Sequence, residues 1–179
     1  MIFLDPDLEM EPAPAGQNPR TPAEAKASRV PSVRTLARFL AAAQQAVRLR
    51  GQVSVLLTTD SVIRRLNRQF RGKNKATDVL SFPASGPAAA GMAGDLAISV
   101  PTARRQAAEQ GHALATEIKV LLLHGLLHLA GYDHETDDGQ MARRERLLRA
   151  RLGLPQGLIE RAEAAPVTKK KRRTAGARP

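Results

Sequence analysis

The chain has 179 residues, enough for one domain with a buried core and too few to expect two. Its 42% apolar content must pack as an aliphatic core, because four Phe, one Tyr and no Trp are all the aromatics, and the absence of cysteine excludes disulfides, thiolate metal sites and cysteine nucleophiles. Of the net charge of +11, six charges (Lys169, Lys170, Lys171, Arg172, Arg173, Arg178) lie in an acid-free tail; the +5 left for residues 1–165 still favours a polyanionic partner, nucleic acid rather than membrane since no amphipathic anchor accompanies it.

The start, MIFLDPDLEM, is acidic and lacks a sustained apolar run, and the most apolar stretch, Ile118–Ala130, is interrupted by Lys119, His124 and His128. Neither a signal peptide nor a membrane span is expected, which with the missing cysteines suits a reducing cytoplasm. IFLD at residues 2–5 reads as a short first strand, and the six prolines from Pro6 to Pro31 make that segment a mobile linker, so residues 1–31 stand apart from the main domain.

Ser32–Leu49 carries Val33, Leu36, Leu40, Ala43 and Val47 at helical spacing, with Ser32 as N-cap and Gly51 past the end. QVSVLLTTD (52–60) is a β-branched strand feeding a helix capped by Asp60 or Ser61. In that helix Val62, Ile63, Leu66 and Phe70 mark the buried face; Arg64, Arg68 and Arg71 form a stripe on another, with Lys73 and Lys75 just beyond. DVLSFP (78–83) and DLAISV (95–100) predict a hairpin with a long loop, and Pro101 opens a helix to about Gln110. Ala115–Leu129 is apolar on nearly every side, as in a helix buried mid-domain. A last helix, Asp138–Leu152, turns Met141, Leu147 and Leu148 inward and its arginines outward, ending at Gly153 and Pro155. Residues 32–165 then form one metal-binding domain and 166–179 a disordered basic tail.

HGLLHLAGYDH, His124–His134, repeats the histidine intervals of zinc proteases that carry H-E-x-x-H-x-x-G-x-x-H. On a helix His124 and His128 lie one turn apart, and Gly131 permits the left-handed turn that swings His134 back as a third nitrogen. Three imidazoles without thiolates favour Zn²⁺ with water as fourth ligand, an open catalytic arrangement; Ni²⁺, Co²⁺ or Mn²⁺ fit the same set. The protease glutamate is replaced by Gly125, which argues against a metallopeptidase. Asp133 or Asp78 can orient the water by accepting a hydrogen bond from it, or serve instead as turn-former and strand cap. His112, in a Gly-flanked loop off this pattern, reads as exposed.

Together with NRQFRGKNKATDVLSFPA (67–84) and the intervening Gly94-Asp95, this motif resembles the YbeY family, metal-dependent endoribonucleases of bacterial rRNA maturation and ribosome quality control. The resemblance covers roughly residues 32–155. It implies an α+β fold, a small mixed sheet of about four strands surrounded by about five helices, with the metal at the mouth of a cleft. It implies further that His124, His128 and His134 bind zinc and that Arg71 is catalytic. Single-stranded rRNA is then the substrate, with small-subunit proteins and assembly factors as partners, and Arg64, Arg68, Lys73 and Lys75 hold flanking backbone. A non-catalytic assembly factor with structural zinc is the competing reading. Ala76 stands where the family usually has proline, and the acidic run after His134 is shorter than is common.

Overall fold

A computed structural model of the chain describes residues 1–9, 21, 25, 27–86, 90–134 and 136–155. The basic tail and most of the proline-rich linker lie outside the described residues. Strand β1 (Ile2–Leu4) leads into a 3₁₀ turn (Pro6–Glu9); next come α1 (Val33–Val47), β2 (Gln52–Thr58), α2 (Asp60–Arg71), β3 (Val79–Pro83), β4 (Met92–Ser99), α3 (Val100–Glu109), α4 (Leu114–Leu129) and α5 (Gln140–Arg151). The four strands make one mixed sheet in the order β1-β2-β4-β3, with β1, β2 and β4 parallel and β3 antiparallel to β4. This is the α+β architecture expected, with the predicted hairpin in place.

The core forms where sequence periods meet. β2 alternates, burying Val53, Val55 and Leu57. α1 contributes Leu36, Leu40, Ala43 and Val47, and its first turn is closed by the Ser32 hydroxyl, which accepts from the Thr35 amide. α4 is central: twelve of its sixteen residues are buried, so it has no solvent face, and it packs on α1, α3, α5 and the sheet. Among the described residues no helix is long and apolar enough to cross a membrane.

Four expectations are corrected. The N-cap of α2 is Thr59, whose hydroxyl accepts from the Val62 amide, not Asp60 or Ser61. Phe70 is 60% exposed, because the last turn of α2 runs past the small cluster of Ile63, Leu80 and Ala97 that receives the helix. On α5 Leu147 is 67% exposed while Arg149 is buried, paired with Glu145 and donating to the Pro155 carbonyl. A buried carboxylate demands a cation, and that requirement sets the rotation of the helix. His112 is mostly covered, its Nε2 2.5 Å from the carboxylate of the fully buried Glu117.

Candidate metal centre and cleft

α4 delivers His124 and His128 on one face one turn apart, and Gly131, at φ 89°, reverses the chain as the spacing requires. His134 closes the group: the ligand-capable atoms of the three histidines all lie within 4.8 Å of one another. The Nε2 atoms of His124 and His128 face each other at 3.1 Å. For ligands of one tetrahedral ion at ~2.0–2.1 Å the donor separation is about 3.3 Å, so the pair needs only a small adjustment to share a metal.

The donor set passes a second test. Burial, and the positive charge that His124 and His134 would add, push the His128 imidazole down to about 4, so at neutral pH its lone pair is available. His134 Nδ1 is buried with no hydrogen-bond partner, so the group holds an unsatisfied nitrogen among the three rings. Three imidazoles converging from different directions fit a borderline-soft divalent ion.

Behind the histidines lies a residue that spacing did not reveal. Glu145 on α5 places Oε2 3.1 Å from His124 Nδ1, while Arg149 donates to its other oxygen through Nε at 2.8 Å and through an NH2 group. Burial alone would raise the Glu145 carboxyl, but the hydrogen bond and charge of His124 and those of Arg149 outweigh it and hold it below the usual carboxylate range. An ionised carboxylate only accepts, so His124 donates through Nδ1, which leaves Nε2 as the ring nitrogen that can serve as a ligand. The one available signal was the i,i+4 pair Glu145–Arg149 on a helix otherwise rich in arginine.

Asp78 and Asp133 both line the cleft. One Asp78 oxygen accepts from the Val79 amide and the Thr77 hydroxyl and the other from Gln106 Nε2, which caps β3 and ties it to α3. Asp133 accepts from the Thr136 hydroxyl, and its carbonyl closes the turn after the histidines.

The histidines line a cleft of roughly 1030 Å³, and Phe70, Arg71 and β3 line it as well. Of the five basic residues singled out in sequence, only Arg71 is among the lining residues. Arg64, Arg68, Lys73 and Lys75 are exposed around it, Arg64 donating to Asn74 Oδ1 at 2.8 Å. The buried Asn67 donates to the Lys75 carbonyl at 2.7 Å and so pins the loop that carries both lysines.

Gly125 explains the missing glutamate. A Cβ there would lie 2.8 Å from Leu96 Cδ2 and 3.3 Å from Ser81 Oγ, so the position faces the sheet rather than the cleft. A glutamate at this point would enter the core and not reach a metal-bound substrate, which removes the base a peptidase of that type needs.

The family model described as Endoribonuclease YbeY matches residues 22–153. The chain is 51% identical over 144 residues to the Endoribonuclease YbeY of Koribacter versatilis, covering 79% of this chain and 93% of that protein. It is 52% identical over 136 residues to that of Solibacter usitatus, covering 76% and 88%. The solution structure of a Thermotoga maritima protein aligns over 69% of this chain and 85% of that one, with TM-score 0.49 and 28% identity. A match spanning most of the chain at half identity, over the segments that build both walls of the cleft, shows that the chain belongs to the YbeY endoribonuclease family.

Proposed function

We propose that the chain is a cytoplasmic, metal-dependent endoribonuclease that cuts single-stranded rRNA during small-subunit maturation and ribosome quality control, alongside ribosomal proteins and assembly factors. The observation that carries this reading is the convergence of three imidazoles in one open cleft that Arg71 also lines. A divalent ion held by His124, His128 and His134, zinc by the nature of the donors with nickel, cobalt or manganese compatible, supplies Lewis acidity toward a phosphoryl oxygen or acidifies water.

The protein's own groups do the rest. Glu145, fixed by Arg149, holds the His124 ring in the tautomer that turns Nε2 to the site. Arg71 offers a planar fork of donors that grips a phosphate bidentately and offsets charge building on its oxygens in the transition state. Arg64, Arg68, Lys73 and Lys75 hold the flanking backbone by charge, so binding weakens with salt.

Purified protein incubated with single-stranded and duplex rRNA fragments, with and without a chelator, tests the proposal. Cleavage confined to single strands, abolished by chelation and restored by zinc, is expected. A 2′,3′-cyclic phosphate end would assign the attack to the neighbouring 2′-hydroxyl, and a directly formed 3′-hydroxyl to water. Failure of pure protein to cut any RNA, with rRNA processing still dependent on it, would overturn the enzymatic reading in favour of an assembly factor.

A further inference from the structure

Phe70 is the anomaly of the cleft. It is one of four phenylalanines in the chain, yet it stands 60% exposed at the end of α2, immediately before Arg71. It is not loose: its ring meets that of Phe82 edge to face, with centroids 5.2 Å apart and planes at 67°. Phe82 is itself packed against the Ile63, Leu80 and Ala97 cluster under the sheet. A ring has two faces and a T-shaped contact covers at most one, so Phe70 keeps an aromatic face for a ligand, on a support anchored in the core.

The surroundings select the ligand. From Ser61 to Thr77 the chain carries six cations and no acid. A planar apolar ring within uninterrupted positive charge fits a polyanion that also has π faces. Phe70 and Arg71 are consecutive, and both line the cleft that the histidines line. Base and phosphate are likewise joined within each nucleotide.

We propose that Phe70, braced by Phe82, is a stacking subsite for one unpaired nucleobase next to the phosphate gripped by Arg71. This rests on the ribonuclease reading above and adds the origin of strand selectivity. In a duplex each base is stacked on its neighbours and has no free face to give, whereas a splayed single strand loses little by placing a base on the ring. Stacking is indifferent to base identity, so the subsite selects unpaired RNA without fixing a sequence.

Binding of short RNA probes to the full chain, with the probes shown on a gel to remain uncut through the titration, tests the proposal. Phe70→Ala is expected to weaken single-strand binding about 5- to 150-fold, the factor that losing one base–aromatic stack gives, with the melting transition and metal content unchanged. Duplex binding should not move. Phe70→Trp should restore affinity and, in a chain with no other tryptophan, its fluorescence should be quenched by single strands. A probe lacking one base at the sensitive position should bind the wild type and Phe70→Ala equally. Single-strand affinity of Phe70→Ala within twofold of wild type would overturn the subsite, as would an equal loss on duplex, or a loss confined to ribosomal particles, which would mark a protein contact. Wild-type protein that binds no RNA at all would instead sink the ribonuclease reading, so the two failures are distinguishable.

Discussion

The two walls of the cleft differ in burial. On the α4–α5 wall, His124 is 7% exposed, Glu145 2% and Arg149 1%. On the α2–β3 wall, Phe70 and Arg71 are exposed, as are Lys73 and Lys75 beyond them. The buried wall is preorganised where His124, Glu145 and Arg149 pair with one another in low dielectric, since an unpaired charge there is costly. The exposed wall keeps its charges in water, where they attract a phosphate chain without fixing its sequence. On the proposed function, rigidity suits residues that would hold an ion, and accessibility suits a large, variable polymer.

Changes to the buried wall should have the larger effects. Gly125→Glu forces a side chain and a charge into the contact with Leu96 and Ser81. We expect loss of at least ~3 kcal/mol of stability and no peptidase activity, read by denaturant unfolding and casein hydrolysis. Full stability would mean that α4 does not press on the sheet there.

A milder probe of the same wall is Glu145→Gln, which keeps an acceptor for His124 Nδ1 but removes the charge. Metal affinity should fall about 10- to 100-fold by competition with a chelating dye, while the fold survives. Unchanged affinity would reduce Glu145 to a packing role.

Away from both walls, Asp60 gives a pH test. Burial would raise its carboxyl, but hydrogen bonds from Ser99, Thr102 and Arg105, with the charge of Arg105, hold it below the ordinary range. A carboxyl depressed in the folded state adds stability that is present above its unfolded value of about 3.9 and is lost as pH falls through the folded one. Asp60→Asn should therefore cost stability at pH 7 and progressively less below about pH 4. A gap independent of pH would contradict this.

Smallest is the effect of removing residues 166–179, six cations and no acid. Metal content should not change, and the slope of log RNA affinity against log salt should shrink by up to about four, at roughly 0.7 for each single-strand phosphate that the tail no longer neutralises. An unchanged slope would leave RNA recognition entirely to the surface around Arg71.

Legibility in the sequence divides along the same line. The convergence of His124, His128 and His134 could be read because helical pitch converts a spacing of four into a shared face, and Gly131 marks the turn that returns His134. Their partner Glu145 could not, since it meets His124 only through the packing of α5 on α4, 21 residues along the chain. Periodicity located β2 and α1 within two residues at each end. It failed at Phe70, in the last turn of a helix that runs past its cluster, and at Leu147, on a helix that turns Glu145, Leu148 and Arg149 inward instead. Burial of Arg149 and His112 was hidden because each depends on a specific acid, Glu145 or Glu117, and not on hydropathy. Arg71 stood out from its basic neighbours only through resemblance, since charge does not distinguish one exposed arginine from another.

The most direct test of the division between walls measures metal content and RNA cleavage together in His124→Ala, His128→Ala, His134→Ala and Arg71→Ala. Each histidine variant is expected to lose most of its metal and its cleavage, because an incomplete chelate releases the ion. Arg71→Ala is expected to keep stoichiometric metal and an unchanged melting transition while cleavage falls about 10²- to 10³-fold, with Arg71→Lys restoring only part. Stoichiometric metal in all three histidine variants, or wild-type cleavage by Arg71→Ala, would contradict the account.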